Sequence, residues 1–101
     1  MPGGTESGEN SGGAYVLSHP VRANIIRLLK KEGEMYTSKI AKVLGFSDRL
    51  LAFHLSILAS NGFIESEYRL TNPEQPPRVA RYYKVTGRVE AILEEFVASL
   101  K

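Results

Sequence analysis

The chain has 101 residues, no cysteine, 43% hydrophobic and 24% charged residues. That length holds one domain and one modest core, and the lack of cysteine excludes disulfides, thiolate metal sites and thiol redox sensing while favouring a reducing setting. The formal net charge of +2 hides an asymmetry: between Ala14 and Gly87 stand 11 basic and 6 acidic residues, a surplus of +5, and both ends are acidic. A basic middle suits an anionic partner such as nucleic acid.

Residues 1–13, with five glycines, two glutamates and no apolar stretch, read as a disordered tail that holds no signal-peptide core. The longest apolar runs, Ile25-Ile26 and Leu50 to Phe53, are far too short to span a membrane, so a cytoplasmic protein without a membrane partner is expected. The domain is expected over 14–101, beginning with a short apolar turn at Ala14 to Leu17. Pro20 then suits a first helical turn. Val21, Ile25, Leu28 and Leu29 follow as one stripe, with Arg22, Asn24, Arg27, Lys30 and Lys31 outside and Gly33 as the stop.

Thr37 is placed as the cap of a second, shorter helix carrying Ile40, Ala41, Val43 and Leu44, ended by Gly45. After Phe46, Ser47 caps a third helix; Asp48 suits its first turn, and Leu51, Leu55 and Leu58 share a face up to Asn61-Gly62. The period then changes from 3.6 to 2. Ile64, Tyr68 and Leu70 alternate with Glu65, Glu67 and Arg69. Thr71 to Pro77 is a loop, and Val79 to Val85 alternates again, which makes a hairpin. Thr86 caps a last helix with Val89, Ile92, Leu93, Phe96, Val97 and Leu100 on one stripe. The predicted fold is mainly α with a small β-hairpin, a winged helix-turn-helix in the order α-α-α-β-β-α.

Several segments resemble ArsR-like winged-helix regulators: Leu17 to Arg22, Ile25 to Leu29, Thr37 to Gly45, Phe53 to Leu58, Asn61 to Glu65, and Arg81 to Thr86. The resemblance spans about Ala14 to Lys101 and implies a dimer, built by the first and last helices, that binds an operator. The chain departs from the family's metal sensors, because it has no cysteine and no histidine in its last helix.

In a helix-turn-helix the second helix enters the major groove while the first crosses the backbone. The candidate reading face is therefore Ser47, Asp48, Arg49, Ala52, Phe53 and Ser56. Arg49 is its one side chain suited to bidentate reading of guanine, Asp48 repels phosphate, and Phe53 is either a contact to thymine methyls or partly core. Specificity on such a face is modest or rests on DNA shape. Thr37, Ser38 and Lys39 are the candidate contacts of the preceding helix, and Arg69, Arg78, Arg81 and Lys84 those of the wing. Tyr82, Tyr83 and His54 read as structural. The expected dimer interface is Tyr15 and Val16 with Val89, Ile92, Leu93, Phe96, Val97 and Leu100.

No catalytic constellation can be assembled: there is no cysteine, the two histidines have separate roles, and no glycine-rich loop follows a strand. The expectation is a non-enzymatic, DNA-binding transcriptional regulator, a homodimer on double-stranded DNA with no cofactor, no metal site and no evident small-molecule effector. The alternative is a winged helix used for protein contact, favoured by the bulky Phe53 and the single arginine on the reading face.

Overall fold

The structure, a computed structural model, describes residues 13–70 and 79–99. Most of the expected tail (1–12), the 71–77 loop, Arg78, Leu100 and the side chain of Phe96 lie outside the described residues. Residues 13–18 are helical (α1) and lead through His19 into α2 (Pro20–Glu32). Pro20 opens α2 because its missing N–H would be unpaired there anyway. His19 is the N-cap, its Nδ1 accepting from the Val21 N–H at 3.2 Å.

The buried stripe of α2 is Arg22, Ile25, Ile26 and Leu29, at i, i+3, i+4 and i+7. Val21 and Leu28 are only partly buried. Arg22, expected on the outer face, is therefore a correction: it is 8% exposed. The cause is the central position of α2, which touches α3 (Thr37–Leu44), α4 (Asp48–Ser60) and strand β3 (Val79–Val85). So many neighbours cover more than a narrow stripe, and a long aliphatic stem can lie within such a face.

After Gly33 the chain forms a two-residue strand, β1 (Met35–Tyr36). β1 and β2 (Ile64–Leu70) both pair antiparallel with β3, giving a three-stranded sheet of order β1-β3-β2 where a hairpin alone was expected. Two residues are too few for alternation to register in a sequence. β1 also displaces Thr37 from its expected cap position. Tyr36, held extended in the strand, is the N-cap and makes no side-chain cap bond, while Thr37 is the first helical residue. The Thr37 hydroxyl instead donates to the Arg81 carbonyl at 3.5 Å.

Gly45 ends α3 at φ 76°, a left-handed conformation that glycine adopts without steric penalty, with its N–H on the Ala41 carbonyl at 2.8 Å. Two residues later Ser47 caps α4, its Oγ accepting from the Leu50 N–H at 3.1 Å. The two helices bend by 113° across this short break, within the range of a helix-turn-helix. Among the described residues no single helix is long and apolar enough to cross a membrane.

The last helix, α5 (Gly87–Ser99), is tied to the exit of α4. The Thr86 hydroxyl accepts from the Arg88 N–H at 3.2 Å and donates to the Gly62 carbonyl at 2.6 Å. Arg88 Nε donates to the Asn61 carbonyl at 2.8 Å. Ile25, Leu29, Ile40, Leu51, Leu55, Leu58, Phe63 and Val89 form the fully buried centre. Val16 and Val89, expected to face a partner, belong to this core, while Tyr15, Leu93 and Val97 stay exposed.

Thr86 serves two backbone groups at once, so Thr86→Val should destabilise the fold by about 1–2 kcal/mol. Leu58→Ala, which leaves a cavity, should cost about 2–5 kcal/mol. Urea unfolding measures both. A neutral Thr86→Val would show that the α4–α5 junction is held by other contacts.

Candidate nucleic-acid interface

Helix α4 has two unlike faces. Leu51, His54, Leu55 and Leu58 are buried, and Arg49, Ala52, Phe53 and Ser56, again at i, i+3, i+4 and i+7, are exposed. Phe53 is 58% exposed, with its ring edge-on to the buried His54 at 5.1 Å, so it presents surface while resting on the core. Arg49 takes part in none of the ion pairs among the described residues. Ser47 and Asp48 are exposed at the start of α4, and Ser38 and Lys39 at the start of α3. Thr37 is half-buried, with its hydroxyl on Arg81.

The wing is less open than its basic residues suggest. Arg69 forms a two-pronged ion pair with Glu34, one prong at 2.8 Å, and a third contact to Glu67 at 2.6 Å, with its guanidinium over the Tyr82 ring at 4.9 Å. The hydrogen bond from Arg69 holds the Glu34 carboxyl below the usual carboxylate range, and the same partners raise Arg69 above the usual arginine range. Lys84 lies 3.6 Å from Glu65. Arg81 donates from Nε to Ser66 Oγ at 2.9 Å and lies against Tyr68 and Tyr83. Glu34 escaped sequence reasoning because its partner is 35 residues away and no local signal announces the pairing. Tyr83 is buried, and Tyr82 is half-buried, edge-on to Tyr36 at 5.5 Å.

The two histidines, expected in separate roles, are neighbours: the His19 and His54 rings are 4.8 Å apart. Arg22 Nε and His54 Nδ1 are the buried side-chain polar atoms left without a partner among the described residues. Arg22 and His54 are buried, whereas Phe53, in contact with His54, is exposed. Among the described residues no three His, Cys, Asp or Glu side chains gather as a metal ion would require.

The sequence from α2 into β2 matches a known family. The profile of the helix-turn-helix domain covers residues 17–67, half of the chain. The chain belongs to the helix-turn-helix domain family. Its fold is that of an ArsR-like winged helix-turn-helix, and solved structures share it. NolR from Sinorhizobium fredii is 26% identical, with a TM-score of 0.68 over 95% of this chain and 89% of that one. An ArsR-family transcriptional regulator is 20% identical, with a TM-score of 0.69 over 91% and 86%. The transcriptional repressor PagR of Bacillus anthracis is 17% identical, with a TM-score of 0.65 over 91% and 97%. No curated protein matches the chain in sequence.

The buried histidine gives this helix-turn-helix a pH dependence. Burial first, then the nearby His19 and Arg22, hold the His54 imidazole below its ordinary value of 6.5. The unfolded chain takes up a proton at His54 near pH ~6.5, whereas the folded chain resists it. Above that pH both states are neutral at this position and stability does not depend on it. As pH falls below about 6.5, the unfolded state gains protons that the folded state lacks, and stability is lost. Thermal midpoints measured from pH 8 down to pH 5 should fall at the acid end, and His54→Leu should flatten that part of the curve. An unchanged acid limb in His54→Leu would assign it to other groups.

Proposed function

We propose that the chain is a DNA-binding transcriptional regulator acting as a homodimer in the cytoplasm, with residues 14–101 forming one winged helix-turn-helix unit and α5 serving as the dimerisation helix. The observation that carries this reading is the outward stripe of α4. An α-helix fits the major groove, and here one is buried on one side only, set at 113° to α3 and flanked by a two-stranded wing. The regulators and the repressor that share the fold support it.

In this reading Arg49 reads a guanine edge, Ala52 and Phe53 meet thymine methyl groups, and Ser56 makes a polar contact further along the groove. Ser47 and Asp48 stand at the entry, where Asp48 weakens contact with phosphate. Thr37, Ser38 and Lys39 approach the backbone from the start of α3. Arg69, Arg78, Arg81 and Lys84 contact phosphate or the minor groove from the wing. A single winged helix makes few phosphate contacts, and a two-fold dimer doubles them.

The partner for α5 is a second copy of the chain. Its outward apolar residues Leu93 and Val97 are continuous with Leu17 and Ile92 along shallow apolar grooves, and Tyr15 is exposed on α1. By spacing, Phe96 and Leu100 extend the same stripe, whereas Val16 and Val89 support it from within the core.

Binding to a random-sequence duplex at roughly 50 mM salt should be readily measured. If a dimer neutralises about 6 phosphates, log K should fall with log salt at a slope near −5. Absence of binding to any duplex, or a slope near zero, would transfer the α4 stripe to a protein partner. Arg49→Ala should alter discrimination at one position per half-site by about 1–3 kcal/mol, while Arg81→Ala should weaken all sequences about equally. Selection from a random duplex pool separates the two effects.

Sedimentation at micromolar concentration should show a dimer that Leu93→Glu or Val97→Glu splits without unfolding the helix-turn-helix. A wild-type monomer with full DNA affinity would contradict the dimer.

A further inference from the structure

The wing presents one charged face. Side chains alternate across a strand, so the paired positions Glu65–Lys84, Glu67–Tyr82 and Arg69–Ala80 share a side. Glu34 joins that side from the residue before β1 through its contacts to Arg69. Arg69 is towards the far end of the wing, opposite Ala80, whereas Glu34 precedes Met35, which pairs with Tyr83. At roughly 3.3 Å per residue, the guanidinium is drawn back towards the base of the wing, across the Tyr82 ring. On this face Arg69 and Lys84 stand among Glu34, Glu65 and Glu67, so its net charge is negative.

We propose that Glu34 and Glu67 are specificity-determining residues: they hold Arg69 away from DNA phosphate and so suppress the sequence-independent part of binding. The inference rests on the DNA-binding reading above and adds a role for carboxylates that this reading did not use. A phosphate near the wing must displace both prongs of Glu34 and the contact from Glu67 before it reaches the guanidinium. These are exposed ion pairs, weak enough to exchange, and the exchange is favourable only where α4 has already brought the wing close to the backbone. The clamp also adjoins the start of α3, since Tyr36 packs on Tyr82 and Thr37 bonds to Arg81. Glu65 acts in the same way on Lys84, across a longer gap.

The test is a fluorescence-anisotropy titration of the full chain with two duplexes, one of random sequence and one selected from a random pool by the wild-type protein, over roughly 50–300 mM salt. Freeing one cation per subunit steepens the slope of log K against log salt by about 0.9 each, or about 2 for a dimer. The Glu34→Gln/Glu67→Gln variant should therefore bind the random duplex about tenfold more tightly at low salt, with a steeper slope and a smaller preference for the selected duplex. Glu67→Gln alone, which keeps the Glu34 contact, should show the same changes in smaller measure. Adding Arg69→Ala to the double variant should remove the gain. If wild type binds DNA and neither carboxylate variant changes affinity or slope, the network only fastens the wing and the inference is overturned. If wild type binds neither duplex, the DNA-binding reading itself fails, and this inference with it.

Discussion

Helix α4 buries Leu51, Leu55 and Leu58 in the core against which α2, α3 and β2 also pack, and that burial fixes which side of the helix faces outward. Side chains three and four residues apart lie on one face of a helix, so rotating α4 by one position would bury Ala52 or Phe53 and expose a leucine. Burying several large aliphatic side chains makes such a rotation unfavourable by several kcal/mol. The orientation of Arg49, Ala52, Phe53 and Ser56 is thus set by residues that never reach the surface. Both ends of the helix are fastened as well, by the Ser47 cap at one and by Arg88 on the Asn61 carbonyl at the other. Because Arg88 belongs to α5, α4 and the helix proposed for dimerisation share a hydrogen-bonded joint.

A polar element interrupts this apolar core. Arg22 and His54 each bury an unpartnered nitrogen, and His19 lies beside them while capping α2. A buried polar group without a partner is destabilising, and His54 bears this while forming the floor against which Phe53 rests. The bulkiest side chain of the outward stripe, Phe53, thus rests on a buried histidine with an unpartnered nitrogen. Acid conditions favour the unfolded chain, because burial resists a proton on His54.

Much of α4 was legible in the sequence. Ser47, Asp48 and the leucine spacing 51-55-58 are short-range signals, and a capped amphipathic helix needs no others. The hairpin was legible for the same reason, with seven residues of alternation in each strand. Other features depend on partners distant in the chain. β1 is two residues long and exists only because Met35 and Tyr36 meet Tyr83 and Tyr82. Arg22 reads as a surface cation because charge outweighs its aliphatic stem in any linear pattern, yet its position in a covered helix buries it. The Glu34–Arg69 pair follows from the register of three strands, so the wing's basic residues look free in the sequence and are engaged in the fold.

The claim on which the account turns is that the outer face of α4 is the surface that meets DNA. Titrating isotopically labelled protein with a short duplex, and following each backbone amide by NMR, tests it residue by residue. The largest shifts should fall on Ser47 to Ser56 and on the first turn of α3, with smaller ones on β2 and β3 and little change along the middle of α2. Shifts concentrated on α5 or on the sheet face away from α3, with α4 unaffected, would contradict it.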